Sequence, residues 1–257
     1  MPSRARYYII KEVFMPRFFV NKENIGDLTL KISGDDAFHI ARSLRMAVGD
    51  ELTVSDGEGA ELLCRLTKIR DEECECEITE RSSGVGESPA DITLFMAYPK
   101  GDKLEVVIQK AVELGAARIV PFESSRCIKR PKAEKLDKQL ARFTRIAEEA
   151  AKQCGRSKLP KVDAPLSFKD MLAEATKSSL ALFCYEAESG KSLKDVLRET
   201  KPTSISVVVG SEGGFSREEA DAAIAAGLTS ITLGKRILRC ETAPAFVLAS
   251  IAYELEL

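Results

Sequence analysis

Residues 207–216 read VVVGSEGGFS, an apolar run that ends in a loop with three glycines. Glycines at the end of a strand let the backbone come close to a ligand, and Ser216 with Glu219 forms the capping box of a following helix. The spacing is neither GxxxxGKS/T nor GxGxxG, and the carboxylate of Glu212 would repel a pyrophosphate. The loop therefore predicts a polar ligand that is not strongly negative, although a tight structural turn would show the same glycines.

A second unusual segment, LGKRILRCETAPAF, occupies residues 233–246. It follows another predicted strand and supplies three cations and two apolar side chains. Thr242 is a candidate N-cap for the last helix, since Pro244 follows closely. Two strand-end loops of this composition at one sheet edge are typical of a ligand site. The alternative is purely structural, with Leu238 in the core and the cations in solvent.

The histidine and cysteine content narrows the chemistry. His39 is the only histidine, so a Ser-His-Asp or Cys-His hydrolase would have to be built on it. A histidine-rich metal site is excluded, and the seven cysteines show no CxxC pair. We therefore expect no metal and reduced thiols. Catalysis must rely on carboxylates, arginines, lysines, backbone amides or a bound cofactor.

The charge distribution indicates a nucleic-acid partner. The net charge is −2, but residues 126–161 carry 12 Lys or Arg and 4 Asp or Glu. Such a basic stripe is expected of an RNA or DNA binder, although a solvated basic helix face would look the same. No uncharged run reaches the ~18 residues of a membrane helix, and no signal-peptide core is present. We expect a cytoplasmic protein without membrane association.

The elements that position these motifs change character along the chain. The first part is β-rich, with a single helical pattern at 36–46 and an Asp-Gly hairpin turn at 56–59. Extended runs lie at 17–20, 51–55, 61–69 and 74–79. Gly, Ser and Pro at 82–89 predict a linker.

Strands and helices alternate after the linker. Strand patterns lie at 92–98, 118–122, 180–185, 204–209 and 230–233, and helical patterns at 102–114, 133–153 and 243–255. Strands this apolar are buried on both faces, so we predict a mostly parallel sheet between helix layers. Ligands of such sheets bind at the carboxyl ends of the strands, where the glycines are.

Together, GSEGGFSREE and LGKRILRCETA resemble the RsmE family of 16S rRNA uridine-N3 methyltransferases, within the SPOUT superfamily of S-adenosylmethionine enzymes. Other matching stretches are MPRFFV at 15–20, HIARSLRMAVGD at 39–50, DGEG at 56–59, KGDKLEVVIQKAVELG at 100–115 and EEAAKQCGR at 148–156. The first loop of that family usually reads G-P-E-G-G, so Ser211 in place of the proline is a departure. The resemblance runs from Met15 to the C-terminus.

The resemblance implies an α/β fold. A SPOUT-type, mostly parallel sheet with helices on both faces and a C-terminal trefoil knot would follow a small PUA-like β-barrel. The implied domains are an N-terminal extension at 1–14, a PUA-like RNA-binding β-barrel at 15–82, a linker at 83–89 and a SPOUT methyltransferase domain at 90–257. Residues 1–14 either belong to the native protein or precede a natural start at Met15. A homodimer is also implied.

The implied reaction moves the methyl group of S-adenosylmethionine to N3 of one uridine, uridine 1498 in the usual rRNA numbering, in 16S rRNA of the small ribosomal subunit. Arg239 would stabilise negative charge on the uracil, and Glu212 or Glu241 would assist proton removal. The implied cofactor-binding residues are Leu182, Gly210, Glu212, Gly213, Leu233, Gly234, Ile237, Leu238 and Thr242. The implied RNA-binding residues are Arg17, His39, Arg42, Arg45, Lys100 and Arg156.

Two other functions stay open at this point. One is a SPOUT methyltransferase that acts on another rRNA site or on tRNA. The other is a non-catalytic RNA-binding homologue that keeps the fold. Methylation of ribosomal subunits that lack the modification distinguishes the first, and binding of S-adenosylmethionine distinguishes the second.

Overall fold

The computed structural model describes residues 15–84, 86–128, 130, 133–185 and 191–257. The chain divides into two compact units. The first contains the residues up to Glu87 together with Lys152–Leu159, and the second contains Ser88–Ala151 and Pro160–Leu257. The predicted N-terminal extension at 1–14 lies outside the described residues.

The first unit is built on a five-stranded curled sheet in the order β1-β3-β4-β5-β2. Its strands are β1 (Arg17–Phe19), β2 (Thr29–Ser33), β3 (Glu51–Ser55), β4 (Ala60–Ile69) and β5 (Glu73–Ser83). β1 pairs with β3 in parallel and the other pairs are antiparallel. Strand β2, which the extended runs did not predict, reads TLKIS, and its alternation buries Leu30 and Ile32 in the core of this unit.

The prediction of one regular helix at 36–46 is wrong. A short helix α1 (Asp35–Phe38) continues as a π-helical turn over His39–Ser43. A π-helical hydrogen bond joins residues five positions apart, and here the amide of Leu44 donates to the carbonyl of His39. The helical backbone ends before Arg45, because Arg45 adopts a positive φ of 51°.

Arg156 is an internal residue of the first unit. Its side chain is only 3% exposed, and Nη2 and Nε donate to Oε2 of Glu87 at 2.6 and 3.2 Å. The other oxygen of Glu87 accepts the amides of Ser157 and Lys158. Burial raises the pKa of Glu87, but the Arg156 hydrogen bond and the two amides outweigh it and lower that pKa overall. The RNA contact predicted for Arg156 is therefore corrected, because a guanidinium this deeply buried and paired cannot reach a phosphate.

Arg156→Ala is expected to lower the free energy of unfolding by about 3 kcal/mol or more, because it leaves a half-buried carboxylate without its cation. Urea denaturation of the purified chain measures this. Arg42→Ala, which removes an exposed partner of Asp71, is the matched control and should change stability little. Equal stability of the Arg156 variant and the wild type would contradict the internal role.

The second unit contains a parallel sheet in the order β12-β10-β11-β6-β7-β8, and β9 also pairs with β7. Its strands are β6 (Asp91–Ala97), β7 (Arg118–Glu123), β8 (Lys161–Val162), β9 (Leu166–Ser167), β10 (Leu180–Cys184), β11 (Ser204–Val209) and β12 (Thr229–Ile231). All pairs of this sheet are parallel. The prediction of a mostly parallel sheet preceded by a small β unit is confirmed. The trefoil knot stays a prediction.

Helices connect the strands of the second unit, and one further helix follows the last strand. They are α2 (Lys103–Glu113), α3 (Leu136–Cys154), α4 (Phe168–Ala175), α5 (Leu193–Glu199), α6 (Arg217–Ala225) and α7 (Thr242–Glu256). α3 ends within the segment assigned to the first unit. α2 buries Leu104, Val107 and Ile108 along one face, which is the amphipathic pattern that predicted it. Across the described ranges, no helix is both long and apolar enough to cross a membrane.

Candidate active site

Three neighbouring parallel strands, β10, β11 and β12, end at the same edge of the sheet. The end of β10 and the loops that follow β11 and β12 line a cavity of about 570 Å³. A volume of this size suits a small-molecule ligand. The cavity is lined by Lys103, Cys184, Tyr185, Val209, Gly210, Ser211, Glu212, Gly213, Gly214, Thr232, Leu233, Gly234, Lys235, Arg236, Ile237, Leu238, Arg239, Cys240 and Ala243.

The glycine loop after β11 is held rigidly at both ends. The amide of Gly214 donates to the carbonyl of Ser211 at 3.0 Å, and Phe215 is buried with its ring centroid 4.4 Å from that of Phe183. The capping box predicted at Ser216 and Glu219 is confirmed. The loop therefore enters α6 with a fixed backbone, as a preformed ligand wall requires.

A neighbouring segment after β7 supports this loop from behind. The amide of Ser125 donates to Oε1 of Glu219 at 2.6 Å, and Nη1 of Arg126 donates to the carbonyl of Gly213 at 3.0 Å. A Cβ atom on Gly213 would lie 2.9 Å from Cβ of Arg126 and 3.1 Å from its carbonyl oxygen. Glycine is required here because the two backbones approach too closely for a side chain.

The second wall of the cavity runs from Thr232 to Cys240. Gly234 takes a φ of 105°, which favours glycine, and its amide donates to Oγ1 of Thr232. The carbonyl of Arg239 accepts the amides of Thr242 and Ala243 at 2.9 Å each. The backbone of Arg239 is thus fixed by the first turn of α7, while its side chain is exposed and makes no ion pair with any residue that the structure describes.

Lys103, the first residue of α2, joins the two walls electrostatically. Its ammonium lies 3.0 Å from Oε1 of Glu212 and 3.2 Å from Oε2 of Glu241. The amide of Lys100 also donates to Glu212, at 3.1 Å, and the thiol of Cys240 donates to Glu241 at 3.2 Å. A single cation shared by two carboxylates holds both loops in place.

This network sets the protonation states of its members. The hydrogen bond to Glu212 raises the pKa of Lys103 above its ordinary value. Burial would raise the pKa of Glu212, but hydrogen bonds from its own amide, from Lys103 and from the amide of Lys100 lower it overall. The Cys240 thiol lowers the pKa of Glu241, and burial raises the pKa of Cys240 to about 12. At neutral pH this network therefore holds two carboxylates, one ammonium and a neutral thiol.

The network predicts a flat pH profile for ligand binding at the cavity. A carboxylate with a lowered pKa keeps its ion pair above the ordinary value of 4.5 and loses it only as the pH falls through the lowered one. We expect the affinity for the ligand to vary less than about twofold between pH ~6 and ~8. Calorimetry across this range measures it. A steep change near pH 7 that Glu212→Gln abolishes would contradict the network.

The structure brings most of the predicted cofactor-binding residues together. Seven of them line the cavity, namely Gly210, Glu212, Gly213, Leu233, Gly234, Ile237 and Leu238, and so does Arg239. Leu182 and Thr242 do not, since Leu182 is fully buried within β10 and Thr242 begins α7 on an exposed face. Thr242 is also not the N-cap, which is Glu241. Sequence reasoning missed Lys103 and Tyr185 because neither belongs to a glycine loop.

The predicted RNA-binding residues of the first unit lie mostly at its surface. His39, Arg42 and Arg45 are exposed around the π-helical turn, and Arg42 is paired with Asp71 at 2.9 Å. Arg17 is half-buried and donates to Glu61 at 2.9 Å. In the second unit Lys100 is exposed beside the cavity network. These positions leave three cationic or ionisable side chains of the turn accessible to a polyanion.

The chain combines a curled sheet with a parallel-sheet unit whose two strand-end loops enclose one cavity. Residues 86–252 match the sequence model of an RNA methyltransferase domain, and residues 32–79 match that of an RNA methyltransferase PUA domain. Fold and site thus define an RNA methyltransferase. A Bacillus subtilis protein, ribosomal RNA small subunit methyltransferase E, is 33% identical over 251 residues, which are 95% of this chain and 98% of the relative. The chain belongs to the ribosomal RNA small subunit methyltransferase E family.

Two further similarities agree with this assignment. The protein of the same name from Synechocystis is 35% identical over 242 residues, which are 93% of this chain and 78% of the relative. A crystal structure of the Neisseria gonorrhoeae ribosomal RNA small subunit methyltransferase E, bound to S-adenosylmethionine, has a TM-score of 0.83 and 32% identity. That similarity covers 93% of this chain and 97% of the other.

Proposed function

We propose that this protein transfers the methyl group of S-adenosylmethionine to N3 of uridine 1498 in 16S rRNA of the small ribosomal subunit. One observation carries the proposal. The two loops that resemble the family motifs enclose a single cavity at the carboxyl ends of β10, β11 and β12. A relative with 32% identity and the same fold was crystallised with S-adenosylmethionine.

The residues of the cavity fit this cofactor. The volume of about 570 Å³ lies within the range of small-molecule sites. Leu233, Ile237 and Leu238 offer apolar surface, and the backbones of both loops offer amides and carbonyls for an adenosine and an amino acid. The carboxylate of Glu212 at the cavity wall suits a ligand that carries a positive charge. When bound, S-adenosylmethionine supplies an activated methyl group, so the protein contributes chiefly orientation and charge.

Arg239 is the proposed electrostatic catalyst. The backbone of Arg239 is fixed, and no described side chain forms an ion pair with its guanidinium. The guanidinium is therefore available to stabilise a negative charge on a ligand. Negative charge develops on the uracil when N3 loses its proton to solvent, and Arg239 would stabilise that charge. Glu212 and Glu241 are the carboxylates that the sequence offers as acceptors of that proton, and Glu212 is the one that lines the cavity. The lowered pKa of Glu212 and its three hydrogen-bond donors make it a weak base, so we assign it mainly to holding the loop.

Recognition of rRNA is assigned mainly to the first unit. The exposed His39, Arg42 and Arg45 would contact phosphates, with Arg17 and Lys100 in supporting positions. We expect substitutions of these exposed cations to weaken RNA binding without affecting the fold, whereas substitution of Arg156 should destabilise the fold. A protein that modifies rRNA would act in the cytoplasm.

We also propose that the protein is a homodimer. Helix α7 exposes Phe246 and Tyr253, which lie two turns apart on one face, and Tyr253 is 68% exposed. Exposed aromatic side chains aligned on a helix are typical of protein interfaces. The molecular mass in solution tests this assembly, and a monomer would refute it.

Methylation of isolated RNA particles tests the proposed function. Small ribosomal subunits from a strain that lacks the protein, labelled S-adenosylmethionine and the purified chain should give one methyl group per subunit. Large subunits and tRNA from the same strain are the controls. Label in tRNA or in another rRNA would favour a different methyltransferase. Cofactor binding without any transfer would favour a non-catalytic RNA-binding homologue.

A further inference from the structure

Ser211 lines the cavity, and its side-chain hydroxyl is an unsatisfied buried polar group. Its side chain is 6% exposed, and Oγ has no hydrogen-bond partner among the described residues. The same holds for side-chain atoms of Ser88, Gln139 and Ser230. Of these four residues only Ser211 lines the cavity.

A buried hydroxyl without a partner is unfavourable, because it has lost its hydrogen bonds to water and gained none. A ligand that pairs it removes this penalty in the bound state. The backbone of Ser211 is also fixed before binding, so only its side chain has to rotate for the hydroxyl to meet a ligand. Its carbonyl accepts the amide of Gly214 at 3.0 Å, and Gly210 before it packs so closely that an added Cβ would lie 3.1 Å from the Phe215 ring. Little conformational freedom remains to be lost when a ligand arrives.

We propose that the Ser211 hydroxyl hydrogen-bonds a polar atom of bound S-adenosylmethionine and so contributes to cofactor affinity. The inference rests on the proposed function, since it assumes that this cofactor occupies the cavity. The resembling family usually has proline at this position, and a proline side chain can neither donate nor accept a hydrogen bond. The contact would therefore distinguish this chain from relatives with the usual loop.

Calorimetric titration with S-adenosylmethionine tests the contact in three proteins: the wild type, Ser211→Ala and Ser230→Ala. The control removes a second unsatisfied buried hydroxyl, from a strand residue that does not line the cavity. We expect Ser211→Ala to weaken binding about fivefold to tenfold, and Ser230→Ala to change it less than about twofold.

Thermal unfolding of the same proteins provides an independent readout. Without ligand, Ser211→Ala should unfold at the same or a higher temperature than the wild type, because the substitution removes an unpaired polar group. With S-adenosylmethionine, its gain in unfolding temperature should be smaller.

Equal affinities of the wild type and Ser211→Ala would overturn the proposal. An equal loss in Ser230→Ala would overturn it too, since the effect would then not depend on the cavity. A wild-type protein that binds no S-adenosylmethionine would refute the proposed function itself, which is a different result.

Discussion

Arg239→Ala is expected to lower turnover on small ribosomal subunits by about 100- to 1,000-fold, the cost of removing one preorganised stabilising group. Its affinity for S-adenosylmethionine should change less than about threefold, because the backbone of Arg239 is held by the amides of Thr242 and Ala243 and does not depend on the guanidinium. Single-turnover methylation measures the first quantity, and calorimetry measures the second.

Arg236→Ala is the matched control for this substitution. Arg236 lines the same cavity and is exposed, like Arg239, so its removal changes the local charge equally. We expect it to weaken rRNA binding modestly and to leave the rate in the bound complex nearly unchanged. Full turnover in Arg239→Ala, or an equal loss of turnover in both variants, would contradict a specific catalytic role for Arg239.

Gly213→Ala is expected to weaken S-adenosylmethionine binding by about tenfold to a hundredfold. Its Cβ would lie 2.9 Å from Cβ of Arg126 and 3.1 Å from the Arg126 carbonyl oxygen, so the glycine loop must move away from its support. Overpacking of this kind costs about 1–3 kcal/mol, and here the displaced segment is a wall of the cavity. Calorimetry with S-adenosylmethionine measures the loss.

Gly227→Ala separates this effect from a general loss of stability. Gly227 follows α6 with a φ of 100°, and nothing lies within 4 Å of an added Cβ. Alanine there strains the backbone at the far end of the same helix, so the variant should unfold more easily and still bind the cofactor normally. Unchanged affinity in Gly213→Ala would show that the loop does not form the cofactor wall.

Local sequence signals predicted the walls of the cavity. The wall after β11 consists of a strand at 204–209, the glycines after it and the capping box of Ser216 and Glu219. Each of these features depends on residues close to it in the sequence, so each can be recognised from the sequence. The same holds for β3, whose predicted bounds 51–55 are those observed. Patterns of this kind depend on periodicity and turn chemistry alone.

Residues that act through distant partners could not be predicted in this way. Lys103 meets Glu212 and Glu241 only because the sheet places the start of α2 at the same edge. Arg156 looked like one cation of a basic stripe, but Glu87, which lies 69 residues earlier, draws it into the interior. Leu182 lies on β10, and although burial of this strand was predicted, only the structure shows that Leu182 does not line the cavity. Tertiary contacts decide these three positions.

The roles assigned to Glu212 and Glu241 also change once their tertiary contacts are known. Sequence alone offered Glu212 and Glu241 as bases, because carboxylates near a substrate commonly accept protons. Hydrogen bonds from its own amide, from Lys103 and from the amide of Lys100 lower the pKa of Glu212, and hydrogen bonds led by that from the Cys240 thiol lower the pKa of Glu241, so both act as structural anions. We therefore propose that electrostatic stabilisation by Arg239 is the main chemical contribution of the protein beyond orientation.

Mass mapping of 16S rRNA tests the central claim most directly. The rRNA would be isolated from a strain that lacks this protein, and from the same strain complemented with the wild type or with Arg239→Ala. We predict that the deletion strain lacks one methyl group, at N3 of uridine 1498, and that the wild type restores it while Arg239→Ala does not. A fully methylated uridine 1498 in the deletion strain, or a methyl group missing from another position instead, would contradict the account.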